Sequence, residues 1–171
     1  METWDAIRAR RNVREFADQP IGPEDLDRIL EAGRLTPSSR NWQPWDFVVV
    51  TDRDRLAELA GVWRGAWHVA GARAAVAIIT PPVESEREER TLHFDVGQAV
   101  MSLMLAATDL GIGTGHAYVD DQELARSVLG FPADRLCTHL ISLGYPRDRP
   151  LRPRTRVNRR PFDDVVHRDR W

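Results

Sequence analysis

Residues 90–111 read Arg-Thr-Leu-His-Phe-Asp-Val-Gly-Gln-Ala-Val-Met-Ser-Leu-Met-Leu-Ala-Ala-Thr-Asp-Leu-Gly. Leu92, Val96, Ala99, Val100, Leu103, Met104, Ala107 and Leu110 recur three or four positions apart, so one unbroken apolar stripe runs along a helix from about Arg90 to Leu110. Gly111 stands where such a helix can turn left-handed and stop. The small residues Gly97, Ala99, Ala106 and Ala107 permit close helix contacts, which suits a core helix or one between subunits.

The flanking sequence alternates element types. Downstream, a short strand near 113–119, a helix over about 121–129 and a strand over 136–143 are expected. Upstream, a short helix over 2–10 carries Trp4 and Ile7. A second helix starts at Gly22-Pro23-Glu24-Asp25, with proline in the first turn and acids at the positive end of the dipole. Leu26, Ile29, Leu30 and Gly33 form its apolar face, and Pro37 closes it. Residues 45–50 and 74–79 are short apolar runs of strand type, with a helix over about 53–59 between them. The glycine-spaced stretch 61–71 fits neither period. Strands and helices in this order point to an α+β or α/β layered domain around one central sheet.

Length and composition narrow the function. The chain has 171 residues, 42% apolar and 29% charged, which is one globular domain with a real core. The net charge of -2 argues for neither nucleic acid nor a membrane surface. All 24 basic residues are arginine, so Schiff-base and P-loop lysine chemistry are excluded and any anion must meet guanidinium groups. The single cysteine, Cys137, leaves no internal disulfide and no cysteine-clustered metal site, and its apolar neighbours mark it as a buried hydrophobe. The N-terminal Met-Glu-Thr-Trp-Asp has no apolar run of the secretory kind, so the cytoplasm is the expected location.

Three segments are richer in polar groups than packing requires. Arg10-Arg11-Asn12-Val13-Arg14 can grip a phosphate through bidentate forks, or form a solvated basic turn. Thr36 to Trp45 offers hydroxyls, amides, one guanidinium and two indoles, suited to a flat heteroatom-rich ligand or to a loop with its tryptophans in the core. Residues 147–171 hold nine arginines against four acids, with Arg159-Arg160-Pro161 among them, and read as a basic arm. Gly61–Gly71, carrying Trp63 and Trp67, is either a lid over a ligand or part of the core.

In this order the pieces resemble the nitroreductase family of flavoproteins. The resemblance rests on Arg10-Arg11-Asn12-Val13-Arg14-Glu15-Phe16 and, most specifically, on Pro37-Ser38-Ser39-Arg40-Asn41-Trp42-Gln43-Pro44-Trp45. Asp95-Val96-Gly97-Gln98, Leu110 to Thr114, Leu143 to Pro146 and Arg159-Arg160-Pro161 extend it over the whole chain. It implies an α+β fold with a mostly antiparallel sheet flanked by helices, in an intertwined homodimer whose interface holds FMN. Residues 1–171 would form one such domain, with 147–171 as an arm around the partner.

By the same resemblance, Arg10, Arg11, Asn12 and Arg14 would meet the cofactor with Arg159 or Arg160, and Pro37, Ser38, Ser39 and Asn41 would reach the flavin of the partner chain. Gly113, Thr114, Gly115 and His116 would lie near the ring with Gln98, and Trp42, Trp67 and Tyr118 would line the substrate pocket. Asn12 departs from the serine usual at its position. The implied activity is transfer of hydride from NAD(P)H to FMN and on to a nitroaromatic, quinone or similar small-molecule acceptor by ping-pong turnover, with no catalytic side chain and no metal. Related alternatives are dehydrogenation, flavin breakdown, and a protein that sequesters flavin without turnover.

Overall fold

A computed structural model describes residues 1–155 and 158–171. Arg156 of the basic arm lies outside the described residues. Among the described residues nine elements follow one another: α1 (Thr3–Ala9), α2 (Pro23–Arg34), β1 (Asp46–Val50), α3 (Arg53–Leu59), β2 (Ala74–Thr80), α4 (Glu86–Asp109), β3 (Gly113–Tyr118), α5 (Gln122–Leu129) and β4 (Leu136–Gly144). Short 3-10 turns occupy Ser39–Asn41, Trp67–Val69 and Phe162–Asp164.

The four strands form one antiparallel sheet in the order β1-β2-β4-β3. Every residue of β2 is buried, because helices cover both faces of the sheet. Its side chains alternate between two cores, as the two-residue strand period demands. Ala75, Ala77 and Ile79 face α3, α5 and the turn at Trp67–Val69, while Ala74, Val76 and Ile78 face α2 and α4. Each fully buried valine, leucine or isoleucine contributes about 1.5–3 kcal/mol, so these two cores carry the fold. Thr138 is an extra residue in β4, since Ile78 pairs with His139 and Ile79 with Cys137.

The long helix buries Leu92, Val96, Ala99, Leu103, Met104 and Ala107 of the expected stripe, with Val100 and Leu110 half-covered. It begins a turn earlier than its apolar pattern, at Glu86. The Ser85 hydroxyl accepts the Glu88 amide at 3.3 Å, and the Glu88 carboxylate accepts the amide of Glu84 at 2.9 Å. Glu86 to Arg90 all face water, so apolar spacing carries no sign of this turn. Gly111 takes a φ of 75° and ends the helix as expected. Gly33 lets α2 lie on α4: a side chain there would stand 2.8 Å from Leu103.

A third, smaller core places the site. The chain leaves α1 in extended conformation and crosses the end of the sheet, where Val13 and Phe16 are buried with Ala9, Ala72 and Leu151. Paired glycines of β3 and β4 make room for it. A Cβ on Gly113 would stand 2.6 Å from Val13, and one on Gly144 would stand 2.7 Å from Phe16. The Val13 amide donates to the Thr114 carbonyl at 2.8 Å, and the Ala17 amide to that of Tyr145 at 2.8 Å.

Candidate functional site

Residues 10–14 run extended past the end of β3, so neighbouring side chains point to alternate sides. Arg10, Asn12 and Arg14 share one side, and Arg11 and Val13 the other. Arg10 donates to Asn12 Oδ1 at 3.2 Å, whereas Arg11 turns to Asp148 Oδ1 at 2.5 Å and to the Arg149 carbonyl at 2.9 Å. Two arginines adjacent in sequence therefore occupy different environments.

The Arg10 side is a concentration of positive charge without acids to answer it. Burial, then Arg159, then Arg154 hold the Arg10 guanidinium below its ordinary pKa. His116, on β3, is held low by burial, then by Arg10 and Arg14. His68 is held low first by burial and then by Arg14, with the ring of His116 adding a smaller like-charge effect. None of the groups shifting Arg10 or His116 is a carboxylate. Asp18 pairs with Arg73, and Asp148 with Arg11. Such an arrangement costs folding energy unless an anion completes it.

Arg159 thus stands near Arg10. Arg160 turns back to the Asp164 carbonyl at 2.6 Å. The first part of the arm packs on its own chain: Arg8 donates to the Arg154 carbonyl at 2.8 and 3.0 Å, and Leu151 is buried beside Ala9.

Beside this patch, Arg14, Trp63, Gly65, Trp67, His116, Ala117 and Tyr118 line a cavity of about 280 Å³. Trp67 and Tyr118 keep 56% and 57% of their surface exposed, so their faces are free. Trp63 and Trp67 are not on one helix. Trp63 is half-buried against the core and meets Tyr118 edge-on with ring centroids 6.0 Å apart, whereas Trp67 stands in the 3-10 turn. The next residue, His68, is buried and holds that turn to the sheet. The Ser142 hydroxyl donates to the Gly115 carbonyl at 3.1 Å, so the His68 ring donates through Nδ1 to Ser142 Oγ at 2.8 Å. Its Nε2 is buried without a partner, as is the Thr114 hydroxyl.

The second half of the predicted residues gathers around Asp95. This carboxylate is fully buried in α4. It accepts the Ser39 amide at 2.9 Å and the Ser39 hydroxyl at 3.1 Å, and Gln98 Nε2 lies 3.4 Å away. Ser38 Oγ accepts the Gln43 amide at 2.8 Å. Arg40, Asn41 and Gln43 all take positive φ, at 55°, 58° and 51°. The loop is held in this strained form by its bonds, and it leaves Pro37, Asn41 and Trp42 exposed. No hydrogen bond among the described residues joins this group to the Arg10 side.

The chain therefore carries two half-sites, one cationic with an aromatic cavity and one a rigid polar loop. Sequence reading missed Asp95, His68 and Ser142 as parts of them. Asp95 had a signal, since it is a carboxylate three residues after Leu92 on the buried side of the helix. Ser142 had one too, as a hydroxyl between Ile141 and Leu143 in the strand Leu136–Gly144.

Donors facing a charge deficit, beside free aromatic faces, are what a phosphate-bearing planar cofactor needs. Comparison with known proteins agrees with this. A protein of Archaeoglobus fulgidus whose name joins NADH dehydrogenase and NAD(P)H nitroreductase is 32% identical over 169 residues, 96% of each chain. The NADPH-flavin oxidoreductase of Vibrio harveyi is 29% identical, over 99% of this chain and 74% of its own. Among solved structures, a Desulfovibrio desulfuricans nitroreductase in complex with FMN superposes with a TM-score of 0.76 at 28% identity, covering 97% of this chain and 95% of that one. The nitroreductase family model matches residues 7–87 and 66–145, and with it the antiparallel sheet and the motif at Pro37–Trp45: this chain belongs to the nitroreductase family.

Proposed function

We propose that this protein is an FMN-dependent NAD(P)H oxidoreductase acting as a homodimer. The observation that carries the reading is the unanswered positive charge at Arg10, Arg14 and Arg159 beside His116 and the aromatic cavity. Arg10 holds the FMN phosphate together with Arg159, and the Asn12 amide adds a donor. Gly113 to His116 would line the ring. These residues would hold FMN, which would supply the redox chemistry between NAD(P)H and a nitroaromatic, quinone or similar acceptor in two half-reactions. The protein's share is to anchor, to orient and to leave one face open.

Dimerisation would join the two half-sites. Phe94, Gly97 and Met101 form an exposed stripe on the outer side of α4, and Trp4 and Ile7 are exposed on α1 beside it. A Cβ on Gly97 would meet nothing within 4 Å, which leaves the backbone open to close approach. A second copy covering this face would bring its rigid loop, with Ser38, Ser39 and Asn41, to the first copy's cofactor, supported by Gln98. The exposed Phe162, Val165, Val166 and Trp171 suit an arm that packs on a partner.

The test is the visible spectrum of the freshly purified protein, identification of the chromophore released on denaturation, and anaerobic addition of NADH or NADPH. A flavin spectrum, released FMN and bleaching by the nicotinamide are expected. A colourless protein that takes up no FMN would overturn the reading, and a bound flavin that stays oxidised would indicate sequestration instead.

A further inference from the structure

The rigid loop and the start of α4 enclose a second cavity, of about 870 Å³, which shares no residue with the one that Arg14 lines. Arg40 and Trp42 stand on its loop side. Arg87, Glu88 and Thr91 share one face of the first two turns of α4, with Glu84 just before them. The two walls are tied together, because Ser39 donates its amide and its hydroxyl to Asp95 further along the same helix. Among the described residues Arg40, Arg87 and Glu84 form no ion pair. Glu88 is engaged at the helix start, where it accepts the Glu84 amide at 2.9 Å. The Trp42 indole keeps 38% of its surface exposed. The cavity thus presents unpaired guanidinium groups, an unpaired carboxylate and an open indole face.

We infer that this cavity takes the adenosine diphosphate half of the nicotinamide donor and selects NADH over NADPH. The diphosphate lies on Arg40 and Arg87, the adenine on the Trp42 indole, and the 2′-hydroxyl of the adenosine ribose donates to the Glu84 carboxylate. This rests on the FMN reading above and adds the identity of the reductant to it. In the homodimer proposed there, Ser39 and Asn41 reach a flavin, so Arg40, between them, and Trp42 stand at its edge. A nicotinamide laid on that ring trails its diphosphate outward past them. Guanidinium forks match phosphate oxygens, and an indole offers a purine a stacking face. A carboxylate accepts a ribose hydroxyl, whereas a 2′-phosphate in the same place would bring its charge against Glu84 and Glu88. The volume falls within the roughly 300–1,000 Å³ of small-molecule sites.

The test uses FMN-loaded full-length protein and two ligands without a nicotinamide ring, ADP-ribose and 2′-phospho-ADP-ribose, titrated by calorimetry at low ionic strength. ADP-ribose is expected to bind about tenfold more tightly, because the extra phosphate meets like charge. The KM for NADH should lie below that for NADPH by a similar factor. Arg87→Gln should weaken ADP-ribose and raise the KM for NADH about tenfold each, with flavin occupancy and kcat at saturating NADH unchanged. Glu84→Gln should bring the two ligands to the same affinity. Both side chains are exposed and unpaired, so both variants should fold. ADP-ribose that fails to bind, or that binds Arg87→Gln as well as the unsubstituted protein, would overturn the inference and leave the FMN reading intact. Equal or tighter binding of the 2′-phosphate form by the unsubstituted protein would overturn it too. Absence of any flavin in the unsubstituted protein would instead remove the reading on which it rests.

Discussion

The segment Arg10–Arg14 and the loop Ser38–Gln43 solve the same problem in opposite ways. Both are irregular, and both project polar groups from the ends of regular elements. The basic segment leaves its charges unanswered: Arg10 has a neutral amide for company and other arginines around it. The loop answers its own demands, because the buried Asp95 accepts both donors of Ser39 and Ser38 accepts the Gln43 amide. The first region is stabilised by what binds it and the second by what already holds it. Substitutions should therefore act on ligand affinity in one place and on folding in the other.

The largest effect falls on the basic segment. Arg10→Ala should weaken FMN at least tenfold to a hundredfold, since charge-assisted bonds to a phosphate contribute about 1.5–3 kcal/mol each. The same change should leave the cofactor-free protein no less stable, because it relieves repulsion from Arg159 and Arg154. Flavin occupancy after purification and the thermal midpoint without cofactor measure the two sides. A large fall in that midpoint would break the contrast, making Arg10 a structural residue.

For the loop the signs reverse. Asp95→Ala should destabilise the protein by about 2–3 kcal/mol, because the Ser39 amide and hydroxyl lose their buried acceptor. The urea midpoint reads this directly. Flavin affinity should fall only in proportion to the loop's release, and it should recover in part with Asp95→Asn, which retains one oxygen to accept.

Much of the fold follows from spacing alone. The burial of α4 follows its apolar repeat almost residue for residue, and the apolar run 74–79 proved to be the strand covered on both faces. The details that decide the site did not follow from composition. Arg10 and Arg11 are the same residue type, and their divergence depends on the extended backbone that follows Ala9. Trp63 and Trp67 stand four apart, yet the intervening chain is no helix, so one packs inward and one outward. The first residues of the arm lie on their own α1 because Arg8 finds the Arg154 carbonyl, a contact separated by 146 positions. Local pattern sets elements; long-range polar partners set the chemistry.

His139, on β4 opposite Tyr118, adds a test through pH. Burial, then the like charge of His116 and His93, lowers its pKa to about 4, and its Nδ1 is buried without a partner. The folded state thus keeps this ring neutral while the unfolded chain binds a proton below about pH 6.5. Stability from this group is present above that value and is lost as pH falls toward 4, on the order of 2 kcal/mol after allowance for partial solvent access. His139→Gln should flatten the urea midpoint between pH 6.5 and 4. An unchanged slope would assign the acid sensitivity to other groups.

The smallest effect tests whether the loop's strain is stored for use. Arg40 has a φ of 55° and a ψ of 23°, a left-handed conformation that costs a side-chain-bearing residue roughly 1 kcal/mol and costs glycine little. The neighbours impose it: Trp42 donates its amide to the Ser39 carbonyl at 3.1 Å and Asn41 donates to that of Ser38 at 2.9 Å, closing the turn around residue 40. Arg40→Gly should accordingly stabilise the protein by about 0.5–1 kcal/mol, the gain being reduced by the greater freedom of glycine in the unfolded chain. Thermal denaturation of the two forms would read it. If stability rises while flavin binding is unchanged, the strain belongs to the loop alone and the arginine is kept for its charge. If flavin binding falls as stability rises, the left-handed turn and its side chain are held for the ligand, and the self-satisfied region is as dependent on a partner as the basic one.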